Sequence, residues 1–336
     1  MVLHSKSLTD HKYTKMGFFS TLWFQFLATL PLFVLILLGF LTVKIGRWQK
    51  TITDSLTKFT FYIAIPIMLF QIMSHFSEHS QINYTLLLVF FGGTFIVFAF
   101  GCLIASKVFK LNGSESTLFA MGGIYTNTVF VGIPIIKMLL GDNAIPIVAI
   151  IVVFNALILW TLASISIEFV QIGKLSFNSI IKAFKNISKN PIIIGVFVGI
   201  AVNFIGFPLP KFINQSTKMV SDMTAPLSLI VLGMGLAEYK IRDKLLITAS
   251  ICIIKLTILP IVTYILGILL GLPLLELQVI VLLSSMSIAI NCYMMARQFE
   301  VLQGPIASSL LISTALSSIT TPLILSIMTH LPFTSI

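Results

Sequence analysis

Two asparagines carry the most pointed chemistry in this chain. Asn127 and Asn291 each interrupt a segment otherwise apolar enough to face lipid. A side-chain amide is costly there unless something accepts its N–H groups. Around the first runs Gly122-Gly123-Ile124-Tyr125-Thr126-Asn127-Thr128-Val129-Phe130-Val131-Gly132-Ile133-Pro134. Proline removes a backbone donor and glycine weakens the helix beside it, so a break is expected between Asn127 and Pro134. Around the second runs Ser284-Ser285-Met286-Ser287-Ile288-Ala289-Ile290-Asn291, which has no proline. Its break is expected from the serine cluster and from its matching place in the chain.

Unwound backbone in a bilayer is tolerated only where protein encloses it or where it lines a wet cavity. Two breaks meeting there would bring half-helix N-termini to one point, with free N–H groups and partial positive charge suited to a carboxylate. Neither stretch contains Asp or Glu, and the deep ionisable group nearby is Lys255. The expected ligand is a small organic anion rather than a metal ion or an amine. The candidate binding residues are Asn127, Thr128, Gly132, Pro134, Ser287, Asn291 and Lys255. Lys255 has a second reading, as half of an internal ion pair with Glu168 or Asp222. The asparagines have one too, as hydrogen-bonding glue between helices.

The frame that positions these residues is duplicated. Ser55-Leu56-Thr57-Lys58 before Pro66 reappears as Gln215-Ser216-Thr217-Lys218 before Pro226, and 226 − 66 = 160. The same offset relates Pro31 to Pro191 and Gly39 to Gly199. With 57% hydrophobic residues, 10% charged and a mean hydropathy of +1.05, the chain carries more apolar surface than a soluble protein of its length could hide. It belongs in lipid. A spanning helix needs ~20 apolar residues, and ten candidate segments follow at 24–44, 54–74, 84–106, 116–139, 145–170, 191–206, 218–237, 246–270, 276–296 and 305–328. Pro66 and Pro226 are expected to kink their helices, and Pro31 and Pro191 to stand near helix starts.

Five segments precede the basic stretch 173–190 and five follow it. An odd number makes the second copy enter from the opposite face, so the repeat is inverted. Loops on one face hold Lys44, Arg47, Lys50, Lys107, Lys110, Lys174, Lys182, Lys185, Lys189, Lys240, Arg242, Lys244 and Arg297, thirteen in all. The other face, beyond the N-terminal tail, holds only Lys137, Lys211 and Lys218. The positive-inside rule makes the thirteen-charge face cytoplasmic and places both termini outside the cell. The expected organisation is thus an extracellular tail 1–23, a five-helix repeat 24–172, a basic cytoplasmic linker 173–190 and a second repeat 191–336 in a multi-pass protein of the cell membrane.

Other functions lose ground on the same residues. The net charge of +10 is scattered through short loops, which suits membrane topology and not nucleic acid. Cys102, Cys252 and Cys292 fall in apolar runs without metal spacing, so neither disulfides nor a bound metal is expected. His75-Phe76-Ser77-Glu78-His79 matches an inverted zinc-protease pattern but lacks a third ligand and an enclosed cleft. No nucleophile and base pair stands deep in a segment, so an enzyme is not expected, and no cofactor is implied. Lys6, Lys12 and Lys15 precede an apolar stretch that lacks a cleavage site, so it reads as a retained helix and not a leader. The serine-rich run Ser308, Ser309, Ser313, Thr314, Ser317, Ser318 suits close helix packing, with oxygen ligation of sodium as its alternative.

Asn127-Thr128-Val129-Phe130-Val131-Gly132-Ile133-Pro134 resembles the signature of the auxin efflux carrier family, whose bacterial members are described as malate or malonate permeases. Asn291-Cys292-Tyr293-Met294-Met295-Ala296-Arg297-Gln298-Phe299 and Ser313-Thr314-Ala315-Leu316-Ser317 resemble its ninth and tenth helices. Ser287 stands where many members have proline. The resemblance covers essentially the whole chain. It implies an all-helical membrane fold whose fourth and ninth helices cross at their breaks, with the two asparagines on the substrate carboxylate. It further implies a scaffold of helices 1, 2, 6 and 7, through which two copies can pair, and an elevator movement of the other six. The expected function is a permease for a dicarboxylate such as malate or malonate. A receptor that senses such an anion without transporting it is the alternative.

Overall fold

The coordinates are a computed structural model, which describes residues 17–75, 83–172, 191–206, 209–238 and 244–330. Apolar side chains point outward from most of its helices: Leu103, Phe197 and Leu246 are all exposed. A helix bonds every backbone group within its own segment, which is what a hydrocarbon surround demands. The helices are α1 (Phe18–Lys44), α2 (Lys50–Ser74), α3 (Tyr84–Lys107), α4a (Gly113–Ile124), α4b (Thr128–Leu140), α5 (Ile145–Ile172), α6 (Pro191–Ile205), α7 (Lys211–Leu236), α8 (Leu245–Leu269), α9a (Leu274–Ser285), α9b (Ile290–Gln298) and α10 (Gln303–His330).

Among the described residues, α1, α2, α3, α7, α8 and α10 are long and apolar enough to cross a membrane. The helix α4b, the stretch Asp142–Asn155, α6 and α9a are shorter apolar helices.

Three prolines explain local irregularities. Thr60–Ala64, Thr128–Gly132 and Ile254–Ile258 are wide π-type turns, followed by Pro66, Pro134 and Pro260 respectively at the start of the next helical stretch. A proline ring clashes with the carbonyl of the preceding turn, and one extra residue in that turn relieves the clash. Pro226, the counterpart of Pro66, sits instead inside an uninterrupted α7. Pro191 is the first described residue of α6. Pro31 does not begin a helix: α1 starts at Phe18 and carries it in its interior.

The chain divides into two compact units. The first comprises the described parts of Met1–Val34, Asn83–Ile145 and Lys240–Ile336, and so holds α3, both halves of α4, α8, both halves of α9, and α10. The second comprises the described parts of Leu35–Ile82 and Pro146–Tyr239, with α2, α6, α7 and nearly all of α5. Glycines set close approaches in the second unit. A Cβ on Gly39 would collide with the Ile230 carbonyl, and one on Gly233 with the Ile36 carbonyl, so α1 and α7 touch backbone to backbone. A Cβ on Gly199 would lie 2.8 Å from the Phe70 carbonyl oxygen, so α6 also runs close to α2. Thr224 Oγ1 donates to the Ala64 carbonyl at 3.1 Å, joining α7 to α2.

Candidate functional site

The site lies inside the first unit, where α4 and α9 break. Asn112 and Glu115 form a reciprocal cap that starts α4a, each side chain accepting from the other's main-chain N–H. The helix then ends at Ile124, and the backbone leaves the helical region at Tyr125 (φ −75°, ψ 104°) and Asn127 (φ −76°, ψ 64°). The break therefore covers Tyr125 to Asn127, just before the expected interval of Asn127 to Pro134. Pro134 instead starts regular helix after the wide turn.

The break in the ninth segment is as sharp, although it has no proline. Met286 (φ −69°, ψ 163°) and Ala289 (φ −74°, ψ 146°) are extended between α9a and α9b. Ser284 Oγ donates back to the Ile280 carbonyl at 2.7 Å, and Ser285 Oγ to the Leu282 carbonyl at 2.7 Å. Such back-bonding competes with the helical ladder. The serine cluster thus weakens the helix as proline does elsewhere.

The two breaks pair like short antiparallel strands. The Asn127 N–H donates to the Ser287 carbonyl at 2.9 Å, the Ala289 N–H donates to the Tyr125 carbonyl at 3.0 Å, and Thr126 lies opposite Ile288. Ser313 Oγ on α10 accepts from the Ile288 N–H at 3.1 Å. Backbone groups that the helices cannot satisfy are satisfied here. Four helix ends gather at the crossing: the C-terminal ends of α4a and α9a, and the N-terminal ends of α4b and α9b. Neither N-terminal end is capped by a side chain.

Lys255, in the wide turn of α8, is wholly buried. Its Nζ donates to the Ser284 carbonyl at 2.6 Å and to Thr126 Oγ1 at 2.9 Å, touching both breaks. A cation suits the carbonyl end of α9a. Asp222, one of the two ion-pair partners expected for it, is exposed on α7 in the second unit. The Glu168 side chain lies outside the described residues. Glycines admit α8 to this position: a Cβ on Gly123 would stand 2.6 Å from Ile254 Cγ2, and one on Gly122 2.8 Å from Ile251 Cγ2.

Two polar atoms at the crossing have no partner. Asn127 Nδ2 and Ser287 Oγ are buried without a hydrogen bond, in side chains only 3% and 0% exposed. Thr128 is buried beside them, its hydroxyl 3.4 Å from the Thr126 carbonyl. Asn291 is half-buried in the first turn of α9b, with Nδ2 a long 3.5 Å from the Tyr125 hydroxyl. The two asparagines are therefore not equivalent locally: one is in the non-helical break, the other in helix. Gly132 and Pro134 shape the backbone, and a Cβ on Gly132 would stand 2.7 Å from Leu283 Cδ2.

Sequence reasoning passed over Thr126 and Tyr125 as members of the site, and offered Ser313 only within the serine-rich run. Only the docking of α4, α8, α9 and α10 singles them out. Of the other hydroxyls of the α10 run, those of Ser309, Thr314, Ser317 and Ser318 donate to carbonyls of their own helix, as when Ser309 Oγ donates to the Pro305 carbonyl at 2.8 Å. Among the described residues no group of His, Cys, Asp and Glu is placed to hold a metal ion. Glu78 and His79 of the zinc-like motif lie outside the described residues.

The chain resembles known proteins over nearly its whole length. A family model described as a membrane transport protein matches residues 24–325. A protein of Rhizobium meliloti named "Putative malonate transporter" is 28% identical over 294 residues, covering 86% of this chain and 91% of that protein. An uncharacterized transporter of Methanocaldococcus jannaschii is 27% identical over 299 residues, covering 86% of this chain and 94% of the relative.

Proposed function

The chain belongs to the auxin efflux carrier family of membrane transport proteins, and from that premise we propose a secondary carrier of small organic anions, with a dicarboxylate such as malonate or malate as cargo. It is a transporter and not an enzyme. One observation carries the choice of cargo. Asn127 Nδ2 and Ser287 Oγ are buried and unpaired where two uncapped helix N-termini meet. Each unmade buried bond costs about 1–3 kcal/mol, which a carboxylate seated there would recover. The name of the Rhizobium meliloti relative supports a dicarboxylate.

The carrier crosses the cell membrane ten times as an inverted five-plus-five repeat, with both termini outside. The Thr224–Ala64 hydrogen bond supports this, because the two residues stand 160 apart, the interval of the sequence repeat. Gly39 and Gly199 support it as well, each packing its helix on a partner whose own counterpart takes the other. Alternating access follows an elevator scheme in which the first unit carries the anion and the second serves as scaffold and homodimer contact. Most of α5 groups with that scaffold, which leaves α3, α4, α8, α9 and α10 as the moving body.

Counterflow in proteoliposomes tests this reading. Vesicles preloaded with malonate or malate should accumulate the labelled anion, and Asn127→Ala should cut the exchange at least about tenfold while the protein remains in the membrane. A receptor would bind the anion without exchanging it.

A further inference from the structure

The oxygen atoms around Lys255 are those that a hard monovalent cation takes. One is the Ser284 carbonyl at the end of α9a, 2.6 Å from Nζ, and the other is the Thr126 hydroxyl at the first break, 2.9 Å away. Broken-helix carriers use such unwound carbonyls and half-helix C-terminal ends to seat a coupling ion. Here the chain fills the seat itself. Ser284 is further fastened by Thr263 Oγ1, 3.0 Å from its own hydroxyl, so the carbonyl is held in place for the ammonium. The geometry points to Lys255 as a tethered internal cation that takes the place of sodium at the crossing.

Three features combine in the inference. The Lys255 Nζ is wholly buried, and its bonded partners are neutral oxygens of the two breaks. No carboxylate of the described residues pairs with it. Its position depends on Gly123, whose missing Cβ leaves room for Ile254 beside Lys255. The Lys255 Nζ therefore ties Thr126 to Ser284 at the carbonyl end of α9a, where a bound ion would sit. The consequence for coupling, that transport runs without sodium, rests on the carrier reading above. The replacement of the ion does not.

The test reads cation binding apart from transport. Thermal melting of the purified wild type in detergent should give one midpoint in sodium chloride and in choline chloride of equal ionic strength. Lys255→Ser opens a space lined by Thr126 and Ser284, so its midpoint in choline should fall by on the order of 5 °C. Sodium or methylammonium chloride should restore most of that loss. Lys255→Met, which fills the space with an apolar chain, should show no response to either salt. A wild type stabilised by sodium, or a Lys255→Ser protein indifferent to sodium and methylammonium, would overturn the inference. If Lys255→Ser cannot be recovered folded in any of these salts, binding of radiolabelled sodium to the wild type decides: saturable binding overturns the proposal and none supports it. Counterflow in choline medium then addresses coupling alone, so a failed carrier reading leaves the melting result standing.

Discussion

The main-chain N–H of Asn127 donates to the carbonyl of Ser287 at 2.9 Å, tying together two helix breaks that stand 160 positions apart, since 287 − 127 = 160. That bond commits both backbones, so the two side chains remain buried at one point without partners. Polar atoms placed so expensively invite a test of what they await.

Asn127→Ala should lower exchange of malonate or malate at least about tenfold, the equivalent of one charged hydrogen bond. Asn127→Asp should do no better, because it sets a negative group beside the anion. Counterflow rates at matched protein levels in the vesicle membrane check both. Wild-type rates in either variant would remove Asn127 from the site.

Ser287→Ala should separate stability from binding. Its hydroxyl is buried and unpaired, so removing it should leave the empty protein equally stable or raise its stability by ~1 kcal/mol, while affinity for the anion falls. Thermal melting with and without malonate reads both effects. A clear loss of stability without ligand would mark the hydroxyl as structural.

Glycine substitutions should follow an order set by what a new Cβ meets. Gly39→Ala should be the most damaging, since it strikes the Ile230 backbone, which cannot step aside. Gly123→Ala should cost about 1–3 kcal/mol by pushing Ile254 and the turn that holds Lys255. Gly132→Ala should be milder, because Leu283 Cδ2 is the free end of a side chain. Gly92→Ala meets nothing and should be neutral or gain ~0.5–1 kcal/mol from helix propensity. Melting midpoints of the four variants establish the order.

A reporter that is active only in the cytoplasm, fused after Ile336, should stay silent, and a periplasmic or extracellular reporter there should be active. Fusions after Gly173 should show the reverse. Cytoplasmic activity at the C-terminus would undo the inverted layout.

Much of this was legible residue by residue, but unevenly. Helices α3 and α8 begin and end within two residues of the segments read from hydropathy, and α5 begins where expected, because long apolar runs declare themselves locally. Pro31 misled, because proline alone does not tell a helix start from an interior tolerated by neighbouring packing. Pro134 misplaced the first break by a few residues: the wide turn before it absorbs the clash, and the chain unwinds earlier, at Tyr125. The second break came from serine hydroxyls bonding to their own helix, which composition hints at weakly.

Hydropathy, the 160-residue interval and the two lone asparagines are properties of a string, and the string alone determined a membrane protein with polar interruptions at matching places. Which groups those interruptions meet was decided only in three dimensions. Lys255 lies 129 positions from Thr126 and 29 from Ser284, yet it bonds to both. No local rule selects such partners, because they exist only once α8 has docked against both breaks through the gap that Gly122 and Gly123 leave. The same docking satisfied the backbone and left Asn127 Nδ2 and Ser287 Oγ without partners. Hydrogen bonding depends on distance in space, which the order of residues along the chain does not record.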